Sequence, residues 1–135
     1  MILRLSGWLS VVIAASFVAA CAGVPTESGT VEEQVLERAQ ARWDAMLAGD
    51  FEKGYEFTAP SYRALTELRL FKAQYAGSAT LISAKAIGVK CTDLNCDVRT
   101  RIEYKLPLSR FKDVIVNHYD ERWVKEDEKW WVHLR

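Results

Sequence analysis

Neither sign of charge is in excess: 18 Lys and Arg balance 18 Asp and Glu over 135 residues. A chain so balanced lacks the broad basic surface that drives nucleic-acid binding. Two histidines and three cysteines are few, and no His/Asp/Glu cluster at helical or strand spacing supplies the converging ligands of a metal site. A glycine-rich phosphate loop is lacking, and no serine can be matched to a histidine and an acid. The longest stretch without an ionisable group at the start of the chain, Leu5 to Ala20, has 16 residues. A membrane span needs about 20. What is present is a chain half apolar and 11% aromatic. That composition excludes disorder for most of its length, and the length fits one domain.

A short positive start (Met1 to Arg4), an apolar middle and small residues before a break describe a secretory signal. Val18-Ala19-Ala20-Cys21 resembles the bacterial lipobox. The resemblance implies a signal peptide over 1–20, cleavage by signal peptidase II and acyl chains, palmitate among them, on Cys21. Lipoproteins of that kind carry three chains. One chain alone binds only marginally, at about 0.8 kcal/mol per buried methylene, so three make attachment effectively permanent. Ala22 in place of Asp reads as an outer-membrane address facing the periplasm. An uncleaved anchor, or an ordinary signal with an accidental cysteine, is the alternative.

With Cys21 acylated, Cys91 and Cys96 remain as an even pair in an oxidising compartment. They bracket a turn-like Thr92-Asp93-Leu94-Asn95 between two strand-like runs, so a disulfide across a hairpin is expected. The spacing is wrong for redox catalysis, and two thiols make half a zinc site.

Gly23, Pro25, Ser28 and Gly29 mark a flexible tether over 21–29, leaving a domain over 30–135. Thr30 and Glu33 form a capping box. Val31, Val35, Ala39, Trp43 and Leu47 then give one apolar helix face, which Gly49 ends. Asp50 caps a short second helix, Pro60 interrupts, and Thr66 to Tyr75 form a third. The period then changes to two. Cys96, Val98, Thr100, Ile102, Tyr104 and Leu106 alternate with charged residues, as a strand with one wet face does. Pairing Cys91 with Cys96 forces a bulge near Gly88, without which Lys85 and Ser83 would face the core. Two strands close the chain, about 114–125 and 129–134. A two-residue turn at Asp127-Glu128 sets Trp123 beside Val132, gathers Ile115, Tyr119, Trp123, Trp130, Val132 and Leu134 on one face, and leaves His118, His133 and Trp131 on the other.

Helices followed by a four-stranded antiparallel meander make an α+β domain. Ala41 to Phe57, with its Gly49-Asp50 joint, and Pro60-Ser61-Tyr62-Arg63 resemble the opening of nuclear transport factor 2-like (SnoaL-like) domains. Glu121 to Trp130 resembles that family's closing hairpin, with Glu128 where glycine is usual. The resemblance implies a cone: a curved sheet wrapped around helices, with a pocket at the open end. Ketosteroid isomerases, scytalone dehydratases and SnoaL-like cyclases of that fold place Asp, His or Tyr inside the cone.

The register points Glu121 and Asn117 inward, near Tyr104, Tyr119 and Tyr55. None sits in a catalytic motif of the family. Glu121 reads either as a general base whose pKa burial raises or as a carboxylate at the pocket mouth or paired with Arg or Lys. Trp131 reads as a partner surface or as a ring covered by its neighbours. The expected function is non-catalytic binding of a small apolar ligand or an envelope protein by a membrane-anchored domain, without cofactor, metal or nucleic acid. A homodimer through the outer sheet face is a further expectation. The alternatives are an isomerase or dehydratase using Glu121, and a structural subunit of envelope assembly.

Overall fold

Thr30 and Glu33 close the capping box: the Thr30 hydroxyl accepts the Glu33 N–H at 3.2 Å, and the Glu33 carboxylate accepts the Thr30 N–H at 2.9 Å. In the computed structural model, residues 29–77, 79–107 and 113–134 are described. The signal, Cys21 and the tether up to residue 28 lie outside them. Helix α1 runs Val31–Leu47 and ends where Gly49 turns to φ +74°, a region open to glycine at no steric cost. The Asp50 carboxylate accepts the Lys53 N–H at 3.0 Å and starts α2, Phe51–Glu56. A Cβ at Gly54 of α2 would stand 2.5 Å from the Met46 sulfur of α1, so glycine is what lets the two helices approach.

Pro60 does not interrupt the helical half, as the sequence suggests, but begins a helix of its own, α3, Pro60–Arg63. A proline in the first turn has no N–H to leave unsatisfied and a φ already set for the helix. Among the described residues four helices therefore precede the sheet. The last, α4, is Leu68–Tyr75 and buries Phe71 completely. The Phe71 ring packs on Tyr55 and Tyr75 at centroid distances of 5.4 and 5.0 Å.

Strands β1 (Thr80–Cys91), β2 (Asn95–Lys105), β3 (Ile115–Glu126) and β4 (Lys129–His133) form an open antiparallel sheet in the order β1-β2-β3-β4. Cys91 pairs with Cys96, and a disulfide joins them. The expected bulge lies between Ala86 and Gly88 and expels Ile87, which is 49% exposed, while Ala84 and Ala86 turn inward. A second bulge, between Leu81 and Ser83, expels Ile82. No apolar alternation marks it in the sequence.

The β3–β4 register also follows expectation, with Glu126 opposite Lys129 and Trp123 opposite Val132. Its two turn residues, Asp127 and Glu128, sit at φ +50° and +60°. That is a left-handed turn matched to the twist of a hairpin, built here without glycine. A residue with a Cβ pays about 1–2 kcal/mol for that conformation. Against this, Glu128 gains one pair with Lys125 at 2.9 Å, and its side chain is 91% exposed. So exposed a pair contributes little. Glu128→Gly is therefore expected to stabilise the domain by about 1 kcal/mol, read as a higher urea midpoint at unchanged slope.

Val35 and Ala39 of α1 pack on Val98, Cys96, Trp123, Trp130 and Val132 of the sheet's inner face. The helices cover only part of that face. Tyr119 is 47% exposed and Asn117 is exposed, although the register points both inward. They lie along β3 at the margin of the helical layer, which leaves them open to solvent on one side. The architecture is thus helices on one face of an open four-stranded sheet.

Candidate functional site

Glu121 stands on β3 opposite Val98 of β2 and is 3% exposed. The charge that meets it comes from α1. Arg42, 1% exposed, forms an ion pair through Nη1 with Glu121 Oε1. Trp43, the next residue, donates its indole N–H to Glu121 Oε2 at 3.0 Å. Arg42 Nη2 donates to the Tyr75 hydroxyl at 3.1 Å, drawing the end of α4 into the same cluster. Burial pushes the Glu121 carboxyl above the ordinary glutamate range, and the Arg42 charge and the Trp43 N–H pull it back. Tyr75 is raised as well, first by burial and then by the Glu121 charge, against Arg42. Each carboxylate oxygen accepts from a donor on α1, and Glu121 is almost wholly shut from water. Of its two sequence readings, the geometry gives the carboxylate paired with arginine.

Arg42 is the residue the sequence reading missed. The sequence carries its signal: Arg42 follows Ala39 by three and precedes Met46 by four, which places it on the apolar stripe. A charge on a buried face calls for a buried partner.

Beside the ion pair runs a groove of about 530 Å3 between α1, α4 and the free end of the sheet. Trp43, Met46, Leu47, Phe51, Leu81 and Ile102 supply its apolar wall, with Tyr104 and Asn117 at the polar margin. Tyr75 separates it from a second cleft of about 480 Å3, where Tyr119, Glu121, Val132 and Leu134 line the edge of β3.

The other candidate residues divide among these places. Tyr104 and Asn117 meet at the groove. Tyr119 borders the second cleft, its ring edge-on to Trp43 at 6.1 Å. Tyr55 joins neither: its hydroxyl donates to the Thr66 carbonyl at 2.6 Å and ties α2 to the turn before α4. Trp131 is half-buried rather than presented to solvent. The Arg38 and Arg63 guanidinium groups lie 5.3 and 5.0 Å from its ring, and its N–H donates to the Glu126 carbonyl at 2.9 Å. These neighbours cover part of the ring. His118 and His133 are exposed. No group of three or more His, Cys, Asp or Glu among the described residues could hold a metal ion, and no described helix is long and apolar enough to cross a membrane.

No family model matches the chain, and no curated protein matches it. Among solved structures it is similar to a SEC-C motif containing protein from Rhodopseudomonas palustris, with a TM-score of 0.56 and 16% identity over 70% of this chain and 71% of that one. It is also similar to a SEC-C motif containing protein from Psychrobacter arcticus, with a TM-score of 0.58 and 13% identity over 78% of this chain. It spans 62% of the latter's length. The likeness is one of fold. It corrects the family expected from the sequence: the neighbours are SEC-C motif containing proteins, not nuclear transport factor 2-like or SnoaL-like domains. The residues that suggested the latter are local devices. A Gly-Asp joint turns one helix into the next, and a tryptophan-flanked two-residue turn closes a hairpin; neither specifies what surrounds it.

Proposed function

We infer that this protein is a non-catalytic binding domain, exported and held at the cell envelope through Cys21, whose groove takes a small apolar ligand. The observation that carries the reading is the groove itself. Its volume lies in the usual range for small-molecule sites, about 300–1,000 Å3. Its wall is mainly aromatic and aliphatic, its polar groups are few, and none of its lining residues is charged. A ligand with an apolar body and one hydrogen-bonding end fits that lining. The disulfide favours an oxidising compartment, in keeping with the apolar leader and with Cys21 as the residue that takes the lipid.

The test is a titration of the full chain with N-phenyl-1-naphthylamine, a neutral apolar fluorophore. Saturable enhancement is expected, and Leu81→Arg, which sets a charge in the groove wall, is expected to weaken it at least tenfold while near-ultraviolet circular dichroism stays native. Enhancement that is absent, or indifferent to Leu81→Arg, removes the groove from the function. The anchor is tested separately, by mass spectrometry of the N-terminus in the native envelope: acylated Cys21 is expected, and an unprocessed Met1 refutes attachment.

A further inference from the structure

The balance of charge over the whole chain conceals a division between the two sides of the domain. The helical half, residues 29–77, holds eight carboxylates and six basic side chains. The outer face of the sheet, which no helix covers, has the opposite sign. Across β1, β2 and β3 as far as Arg122, three acids stand on that face, and each is taken by an arginine: Asp97 by Arg122 at 3.0 Å, Asp120 by Arg99 at 2.8 Å, and Glu103 by Arg101. Lys85, Lys90 and Lys105 are on the same face, exposed, and make no ion pair among the described residues. Glu126 and Lys129, farther along, stand opposite one another and add no net charge. Asp113 precedes β3 and lies outside these rows.

The strand registers sharpen the excess. Lys85 stands opposite Arg101, and Arg101 opposite His118, so one row across three strands carries only basic side chains. Like charges directly opposed destabilise a sheet, and Glu103 offsets one of them. The same strand that carries Lys85 and Lys90 also shows apolar side chains to solvent. Its two bulges push out Ile82 and Ile87, 42% and 49% exposed, on either side of Lys85. Lysine is the cation left free here. Its ammonium ends a flexible apolar stem, which lies along an apolar boundary while the charge reaches an anion beyond it.

We propose that the outer face of β1 and β2 lies on the surface of a bilayer rich in anionic phospholipid, with Lys85, Lys90 and Lys105 against the headgroup phosphates and Ile82 and Ile87 at the acyl boundary. Charge complementarity selects the occupant. Free lysines interleaved with exposed isoleucines match a surface that is anionic outside and apolar beneath. A second copy would set the lysine excess against itself. The choice of a bilayer over an acidic protein rests on the anchor at Cys21. Eight residues take the chain from Cys21 to Gly29 and reach at most about 28 Å, close to the length of α1. Attraction between exposed charges fades beyond about 8 Å at physiological ionic strength, so a tether that short is what lets a modest excess act. A neutral domain so divided is oriented rather than merely attracted. The groove, on the helical side, then opens away from the bilayer.

The experiment is lysine footprinting of the full chain on two kinds of vesicle, phosphatidylcholine alone and phosphatidylcholine with about 30% phosphatidylglycerol. A water-soluble acetylating ester labels the amines, and mass spectrometry reads the rate at each site. On the anionic vesicles Lys85, Lys90 and Lys105 are expected to label at least threefold more slowly than on the neutral ones, while Lys53 and Lys72 of the helical side keep their rates. Sodium chloride at about 0.5 M is expected to remove the difference. In the double variant Lys85→Glu with Lys90→Glu, whose circular dichroism should match the wild type because both side chains are exposed, Lys105 is expected to lose its protection. Equal labelling on the two vesicles, the result if the face is kept for an acidic protein, overturns the proposal. So does protection shared by Lys53 and Lys72, or protection of Lys105 that survives the double variant. Sedimentation with the neutral vesicles reads the anchor by itself, so its failure and the failure of the face are told apart.

Discussion

Replacing Arg42 with methionine is expected to cost about 3–5 kcal/mol of stability, the largest loss from any single change considered for this domain. The size follows from what the substitution leaves behind. Glu121 would stay 3% exposed with only the Trp43 N–H to hold it, and a carboxylate in such a place either keeps an uncompensated charge or takes a proton. Domains of this size are stable by about 5–15 kcal/mol, so the variant would unfold at low urea. The double variant Arg42→Met with Glu121→Leu is the informative partner. Removing both charges removes the desolvation cost of both, and a buried ion pair replaced by apolar groups of similar volume is often neutral or stabilising. The double variant is expected within about 1 kcal/mol of the wild type, or above it. Urea unfolding of the four chains of the cycle decides the matter, and an Arg42→Met chain as stable as the wild type would mean the pair holds nothing.

The same pair explains how much of this molecule is legible in its sequence. Devices that act over three or four residues are plain: the Thr30–Glu33 box, the Asp50 cap, the Gly49 terminus. The alternation of Cys96 to Tyr104 fixes which face of β2 is wet. The cysteine pair sets a hairpin register from which the bulge before Gly88 follows by counting. The Arg42–Glu121 pair lies outside this reach, because its partners are 79 residues apart and only the packing of α1 on the sheet brings them together. The exposure of Asn117 and Tyr119 was hidden for a similar reason. Strand alternation tells which way a side chain points but not where the opposing layer stops. Trp131 shows the converse: it points off the core face as expected, yet two arginines from the helical half reach around the sheet edge to cover it. Pro60 was misjudged because a proline that ends one helix and one that begins another look alike until the next turn is known. The family resemblance failed on the same ground, resting on local joints.

Reducing the Cys91–Cys96 bridge is expected to cost about 2 kcal/mol, by the chain-entropy account of so short a closed loop. Reduction leaves the packing of the inner face nearly unchanged. Cys96 is fully buried beside Val98 and Trp123, and Cys91 packs at the margin of the same cluster. Two thiols keep nearly the volume of the bridge, so the inner face stays filled and the loss falls on the unfolded chain, which regains the freedom of the 91–96 loop. For a domain of roughly 100 residues that corresponds to a melting temperature lower by about 10 °C. Cys91→Ala with Cys96→Ala should lose more than reduction does, because the alanine at 96 also opens a cavity under Trp123. Thermal melts of the oxidised chain, of the chain in dithiothreitol and of the double variant are the measurement. If reduction leaves the melting temperature in place, the bridge adds nothing to the fold, and its support for an oxidising compartment goes with it. If the expected order holds, the covalent tie contributes where packing cannot, at a hairpin tip whose Leu94 is 70% exposed and which no helix covers. A domain carrying that tie loses stability where the bridge is reduced and keeps it where the bridge stands.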